Sequence, residues 1–326
     1  MVLAPAQSAP VKSVGADYYE FRFSAMGTSC GLIFSASSRG RAQSFEGEIL
    51  QWIQSFEDRF SRHRPNSLVS RINLSAGGDW VDIDAEAESL FSLCDWYFWL
   101  TNGIFDPTVL PLLRLWNYKA TPPVIPDEAD IASALQKVGW KKTERRNGRF
   151  RLMEPGMGID LGGLGKEYAV DRVLEMALAA GIENILIDFG HDLRLHGEPP
   201  EGGPWRIGLE DPADSTQCWR GLALTRRAVT TSGDYLRHMT VNGKRYGHIL
   251  DPRTGIPVSH SCRAVTVVAP TCTEAGILST SAFILGPTEG LALIEGCLQA
   301  EGCMVTDKHR IETGRFYAYN YSAQRS

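Results

Sequence analysis

The 326-residue chain has no C-x-x-C pair, no His-x-x-x-His pair, no long apolar run and no surplus of basic residues. Each absence removes a class of protein. Seven cysteines, Cys30, Cys94, Cys218, Cys262, Cys272, Cys297 and Cys303, are odd in number and scattered. That pattern argues against a zinc ribbon or a dithiol redox motif and reads as free, mostly buried thiols in a reducing compartment. His63, His191, His196, His238, His260 and His309 show no metal-ligand spacing. With no run of about 18 apolar residues, no membrane-spanning helix is expected. The first 17 residues hold neither a stretch of signal-peptide length nor an early cysteine suited to lipidation, so a cytoplasmic protein is expected. The net charge of −5 argues against bulk nucleic-acid binding. It leaves room for an anionic ligand in a locally basic or amide-rich pocket.

What is present is ordinary for a globular domain, 43% apolar and 22% charged residues. Residues 1–17, rich in Ala, Pro and Ser, read as a flexible N-terminal arm, and residues 18–326 as a single domain. Alternation predicts a strand over residues 19–23 with a hairpin partner over 30–34. Helical spacing predicts helices over 42–60, 84–101, 127–138, 168–180, 273–285 and 288–296, with Asp127 as an N-cap. Strands are expected over 184–189, 205–209, 219–225, 228–231 and 263–269. Without a regular βαβ rhythm the fold class is α+β. Each half offers a strand pair followed by a helix, which hints at duplication.

Four clusters carry more reactive polar groups than a core needs. In Gly158-Ile159-Asp160-Leu161-Gly162-Gly163-Leu164-Gly165-Lys166 the glycines precede a predicted helix. Adjacent glycines let backbone amides approach a ligand, and a helix start with a lysine suits phosphate oxygens. Neither the Walker A order nor Gly-x-Gly-x-x-Gly is present. Phe105-Asp106-Pro107-Thr108 reads, taken alone, as a capping turn. Met26-Gly27-Thr28, taken alone, reads as a strand break with a bulge. Thr231-Ser232-Gly233-Asp234-Tyr235 precedes His248-Ile249-Leu250-Asp251-Pro252-Arg253-Thr254-Gly255. There a histidine is followed closely by Asp251, Arg253 and Thr254, and His248, Asp251 and Lys166 are the catalytic candidates.

In this order the clusters resemble the ApbE family of FAD:protein FMN transferases. The likeness runs from about Tyr19 to Gly286. It also takes in Phe60-Ser61, Ser67, Asn73, Gly103-Ile104, Pro111, Trp116, Tyr168, Ala169, Asp171 and Thr280. The resemblance implies an ApbE-like α+β fold of two intimately packed, duplicated α/β subdomains with mixed or antiparallel sheets and FAD in a cleft between them. It implies transfer of FMN to a Thr or Ser hydroxyl of a partner flavoprotein with release of AMP, and Mg²⁺ on the diphosphate. Lys166 with Gly162 and Gly163 would hold the diphosphate. Met26, Thr28, Phe105, Asp106, Thr108, Ser232, Gly233, Asp234 and His248 would contact the nucleotide. His248 would also handle a proton or orient the phosphate. The Gly165 carbonyl and Thr280 would ligate the metal.

The chain departs from the family pattern at three places. Gly276 stands where an Asp metal ligand is usual, Gly165-Lys166-Glu167 where Ala-Lys-Gly is usual, and Gly190-His191-Asp192 where Gly-Gly-Asp is usual. Glu274 lies about 200° around a helix from residue 276 and does not replace the lost carboxylate. Mg²⁺ binds weakly without carboxylates, so flavin binding is expected to survive these changes more readily than transfer. Two alternatives stay open. One is an FAD-binding protein without transfer. The other is an FAD pyrophosphatase giving FMN and AMP.

Overall fold

A strand opens the described chain where composition suggests a flexible arm. The structure, a computed structural model, describes residues 8–117, 120, 122–234, 238–241 and 243–321. Strand β1 (Ser8–Gly15) pairs antiparallel with β2 (Tyr18–Ala25) at the edge of the main sheet, with register irregularities. An edge position tolerates Pro10, whose missing amide would break an inner ladder, and Val11 anchors the strand in the core. β2 continues into β3 (Thr28–Ser35), with Ala25 opposite Thr28. The link is Met26 (φ 49°) and Gly27 (φ 73°). Two left-handed residues make a two-residue type I′ turn, so the bulge expected from the sequence is not needed.

Helix α1 (Arg39–Phe60) follows, then α2 (Leu68–Leu74), the short β4 (Val81–Asp82) and α3 (Ala85–Leu100). α4 (Leu110–Leu115) and α5 (Glu128–Leu135) come next. Ser38, Ser67, Asp84 and Asp127 cap α1, α2, α3 and α5 through side-chain oxygens, the arrangement that satisfies orphan amides at a helix start. The hairpin β5 (Thr143–Arg146) and β6 (Arg149–Leu152) leads to α6 (Gly165–Ala179). α6 starts earlier than its apolar spacing suggests.

The second half holds β7 (Ile185–Phe189), β8 (Asp192–His196), the hairpin β9 (Trp205–Asp211) and β10 (Asp214–Leu224), and β11 (Ala228–Gly233). Two small hairpins follow, β12 (His238–Val241) with β13 (Lys244–Gly247) and β14 (Leu250–Asp251) with β15 (Ile256–Pro257). The chain then forms β16 (Cys262–Ala269), α7 (Cys272–Leu285), α8 (Pro287–Glu295), β17 (Glu301–Thr306) and β18 (Arg310–Glu312).

Nine strands form one sheet in the order β1-β2-β3-β7-β8-β11-β16-β17-β18, and every adjacent pair is antiparallel. The α+β class read from the sequence is therefore realised as a sheet that runs through both halves. The largest core joins this sheet to residues of α1, α6 and α7, including Phe34, Ile53, Val173 and Leu278. A second core gathers residues of α2, α3 and β6 around Phe91 and Phe150. Six of the seven cysteines are buried and all seven are free. Among the described residues no helix is long and apolar enough to cross a membrane.

Candidate functional site

The clusters are drawn together by identifiable bonds. Asn73 exchanges two hydrogen bonds with the backbone of Ile159, at 2.7 and 3.0 Å. The Asp160 amide donates to the Pro107 carbonyl at 2.8 Å, so the glycine-rich loop lies on the 105–108 turn. Trp116 Nε1 donates to the Gly255 carbonyl at 2.7 Å, which ties the loop after His248 to α4. A Cβ on Gly190 would sit 2.2 Å from Thr28 Oγ1. The Met26–Thr28 turn therefore abuts the Gly190–His191 turn, where φ is 64° and 70°. Because both space and φ there demand glycine, Gly190→Ala should cost about 2 kcal/mol in urea unfolding. Thr28→Ala in the same chain should recover part of that loss, and strict additivity of the two changes would count against the contact.

These ties enclose a cleft of about 910 Å³, within the size range of small-molecule sites. Thr28, Phe105, Asp106, Gly162, Gly163, Lys166, Ser232, Gly233, His248 and Thr280 all line it. The Gly162 amide is held by Asp160 Oδ1 at 2.8 Å, and Asp160 pairs with Arg62. A Cβ on Gly163 would meet nothing within 4 Å, so the backbone there borders open space. No side chain caps α6, which leaves the positive end of the helix available to an anion. Lys166 pairs with Asp192. Burial works against its charge, but Glu167 and Asp192 outweigh burial and hold the ammonium above the usual lysine range.

Across the cleft runs a ladder of hydroxyls. Thr230 Oγ1 donates to Ser279 Oγ at 3.2 Å and Ser232 Oγ bonds both Ser279 Oγ and Thr280 Oγ1 at 2.8 Å, while Thr231 Oγ1 and Thr266 Oγ1 pair at 2.8 Å on the other face of the sheet. Ser279 Oγ in turn donates to the Gly276 carbonyl at 3.1 Å. Glu167 also lines the cleft, and its Oε2 is buried with no hydrogen-bond partner. Burial, with Asp192 adding to it and Lys166 opposing, pushes the Glu167 carboxyl well above the usual range. Among the described residues no three His, Cys, Asp or Glu side chains form a metal cage. An unsatisfied carboxylate oxygen in a cleft also lined by Ser232 and Thr280 fits a sparser protein shell. Mg²⁺ takes one or two protein carboxylates and fills its shell with substrate phosphate and water.

Other candidates lie outside the lining. Met26 packs between the two large cores, and its amide donates to Glu57 Oε1 at 2.8 Å. Thr108 is fully buried and bonded to Asp106 Oδ1, while Asp106 Oδ2 accepts from Trp140 N at 3.0 Å. Both side chains brace the turn. Gly165 is buried, and its amide donates to Leu161 O at 2.6 Å. Asp234 is held by Arg245 at 3.0 Å. Asp251 is engaged by the Arg253 guanidinium at 2.8 Å and its own turn. Tyr235 lies outside the described residues. Sequence reading underrated Asp192 and Glu167. The available signal was their adjacency to the glycine turn and to Lys166.

The comparisons agree on one kinship. The model of the ApbE family matches residues 26–304. The FAD:protein FMN transferase of Vibrio cholerae is 29% identical over 257 residues, covering 78% of this chain and 77% of that protein. A Klebsiella pneumoniae protein of the same description is 29% identical over 272 residues, 82% of this chain and 84% of its own. The solved ApbE protein of Thermotoga maritima superposes with a TM-score of 0.85 at 32% identity, over 94% of this chain and 100% of that one.

Proposed function

The chain belongs to the ApbE family, and from that premise we propose that it transfers FMN from FAD to a threonine or serine hydroxyl of a partner flavoprotein, releasing AMP. The observation that carries the reading is the convergence of the Gly162–Gly163 loop, Lys166, the Ser232–Thr280 hydroxyls and His248 on one cleft. That set suits a dinucleotide diphosphate. The open backbone at Gly163, the uncapped start of α6 and a lysine would take the phosphate oxygens, and phosphoryl transfer needs charge neutralisation and positioning more than a protein nucleophile.

In the transfer, the acceptor hydroxyl oxygen forms a bond to the FMN phosphorus. The bond from that phosphorus to the bridging oxygen breaks, and AMP leaves with that oxygen. His248 takes the proton of the attacking hydroxyl, and Lys166 stabilises the charge that builds on the phosphoryl oxygens. A magnesium ion held by oxygens beside Thr280 and the start of α6 would neutralise the diphosphate's leaving end.

The test is incubation with FAD, Mg²⁺ and a threonine-bearing flavoprotein, following AMP and protein-bound flavin separately. Equimolar AMP and acceptor-bound FMN are expected. AMP with only free FMN would make water the acceptor, and neither product from a yellow protein would leave binding alone.

A further inference from the structure

Gly276 is a glycine in the middle of a long buried helix, a position where it costs about 1 kcal/mol relative to alanine. The neighbouring helix explains it. A Cβ on Gly276 would lie 2.5 Å from Cγ of Glu167 and 3.2 Å from its Cδ. The missing side chain on α7 and the long carboxylate on α6 occupy one space. Lys166 pairs directly with Asp192 and offsets the Glu167 charge only in part. Glu167 Oε2 is left buried and unbonded, a costly state for a charged carboxylate that a proton or a bound cation relieves. On α7 and β11 the Gly276 carbonyl, Ser279, Ser232 and Thr280 make a run of linked oxygens, and Thr280 and Glu167 face the same cleft. Oxygen donors of this kind select a hard cation.

We propose that Glu167, reaching from α6 into the space left at Gly276, is the carboxylate ligand of a divalent cation bound against the flavin diphosphate. The proposal rests on the cleft being an FAD site. It joins two departures seen in the sequence. A carboxylate absent from position 276 of α7 is matched by one present at position 167 of α6, so the cation site is moved between helices rather than lost.

The experiment measures Mn²⁺ binding by electron paramagnetic resonance to FAD-saturated protein, beside FAD affinity measured without cation. Glu167→Gln should weaken Mn²⁺ at least about tenfold, while cation-free FAD affinity holds or rises because a negative charge leaves the neighbourhood of the diphosphate. Gly276→Asp alone should not strengthen Mn²⁺ binding, because two side chains then compete for one space. The double variant E167G/G276D should return Mn²⁺ affinity to near the wild-type value. Wild-type Mn²⁺ affinity in E167Q, or a double variant no better than E167Q, would overturn the assignment. Absence of FAD binding by the wild-type chain would instead overturn the flavin reading beneath it.

Discussion

Replacing Lys166 with methionine should slow flavin transfer by about 10²–10³-fold, the usual cost of removing one charged or hydrogen-bonding group aimed at a developing oxyanion. Lys166 is the cation at the first turn of α6, facing the cleft beside two glycines. Glu167 and Asp192 keep it protonated through neutral pH despite its burial. Methionine keeps the apolar stem and removes the charge, so the loss should fall more on the rate than on FAD affinity. The substitution also leaves Asp192 buried without its partner, which predicts lower stability as well. Arginine keeps the charge but not the compact shape, and should recover only part of the rate. Single-turnover transfer assays with FAD in excess separate the two effects. A K166M protein that transfers at the wild-type rate would remove the lysine from the chemistry.

The second large effect is structural. Asp171→Ala should destabilise the fold by about 3–5 kcal/mol. The Asp171 carboxylate accepts from the Cys272 and Thr273 amides at 2.8 Å and from Thr273 Oγ1 at 2.7 Å. It thus caps α7 from α6, and Arg194 stands 3.8 Å away. Alanine leaves three donors and a guanidinium without this partner in a buried region. Because α7 carries Gly276, Ser279 and Thr280, the same bonds set the position of the hydroxyl ladder opposite Glu167. Urea unfolding should show the lower stability at an unchanged slope. A loss below about 1 kcal/mol would mean that water replaces the carboxylate.

The parts of the fold that could be read in advance are those with local periodicity. The β2–β3 hairpin, the amphipathic α1 and the Asp127 cap all follow from spacing and residue type. β1 was hidden because an edge strand containing Pro10 lacks clear alternation. The first turn of α6 was hidden because Gly165, Lys166 and Glu167 show no apolar spacing, although all three are helical. The site was visible as motifs but not as bonds. Asp171 and Cys272 are 101 residues apart, and the packing of Glu167 against Gly276 joins different helices. No local pattern announces either contact. Asp251 shows the converse. Its spacing from His248 suggested chemistry, yet its carboxylate folds back onto Arg253.

A crystal structure of the chain grown with FAD and Mg²⁺ tests the central claim most directly. The account predicts the flavin diphosphate lying along the Gly162–Gly163 backbone within hydrogen-bond reach of Lys166, with the cation between Glu167 and a phosphate oxygen. Flavin bound elsewhere, or a diphosphate turned away from that loop, would contradict it.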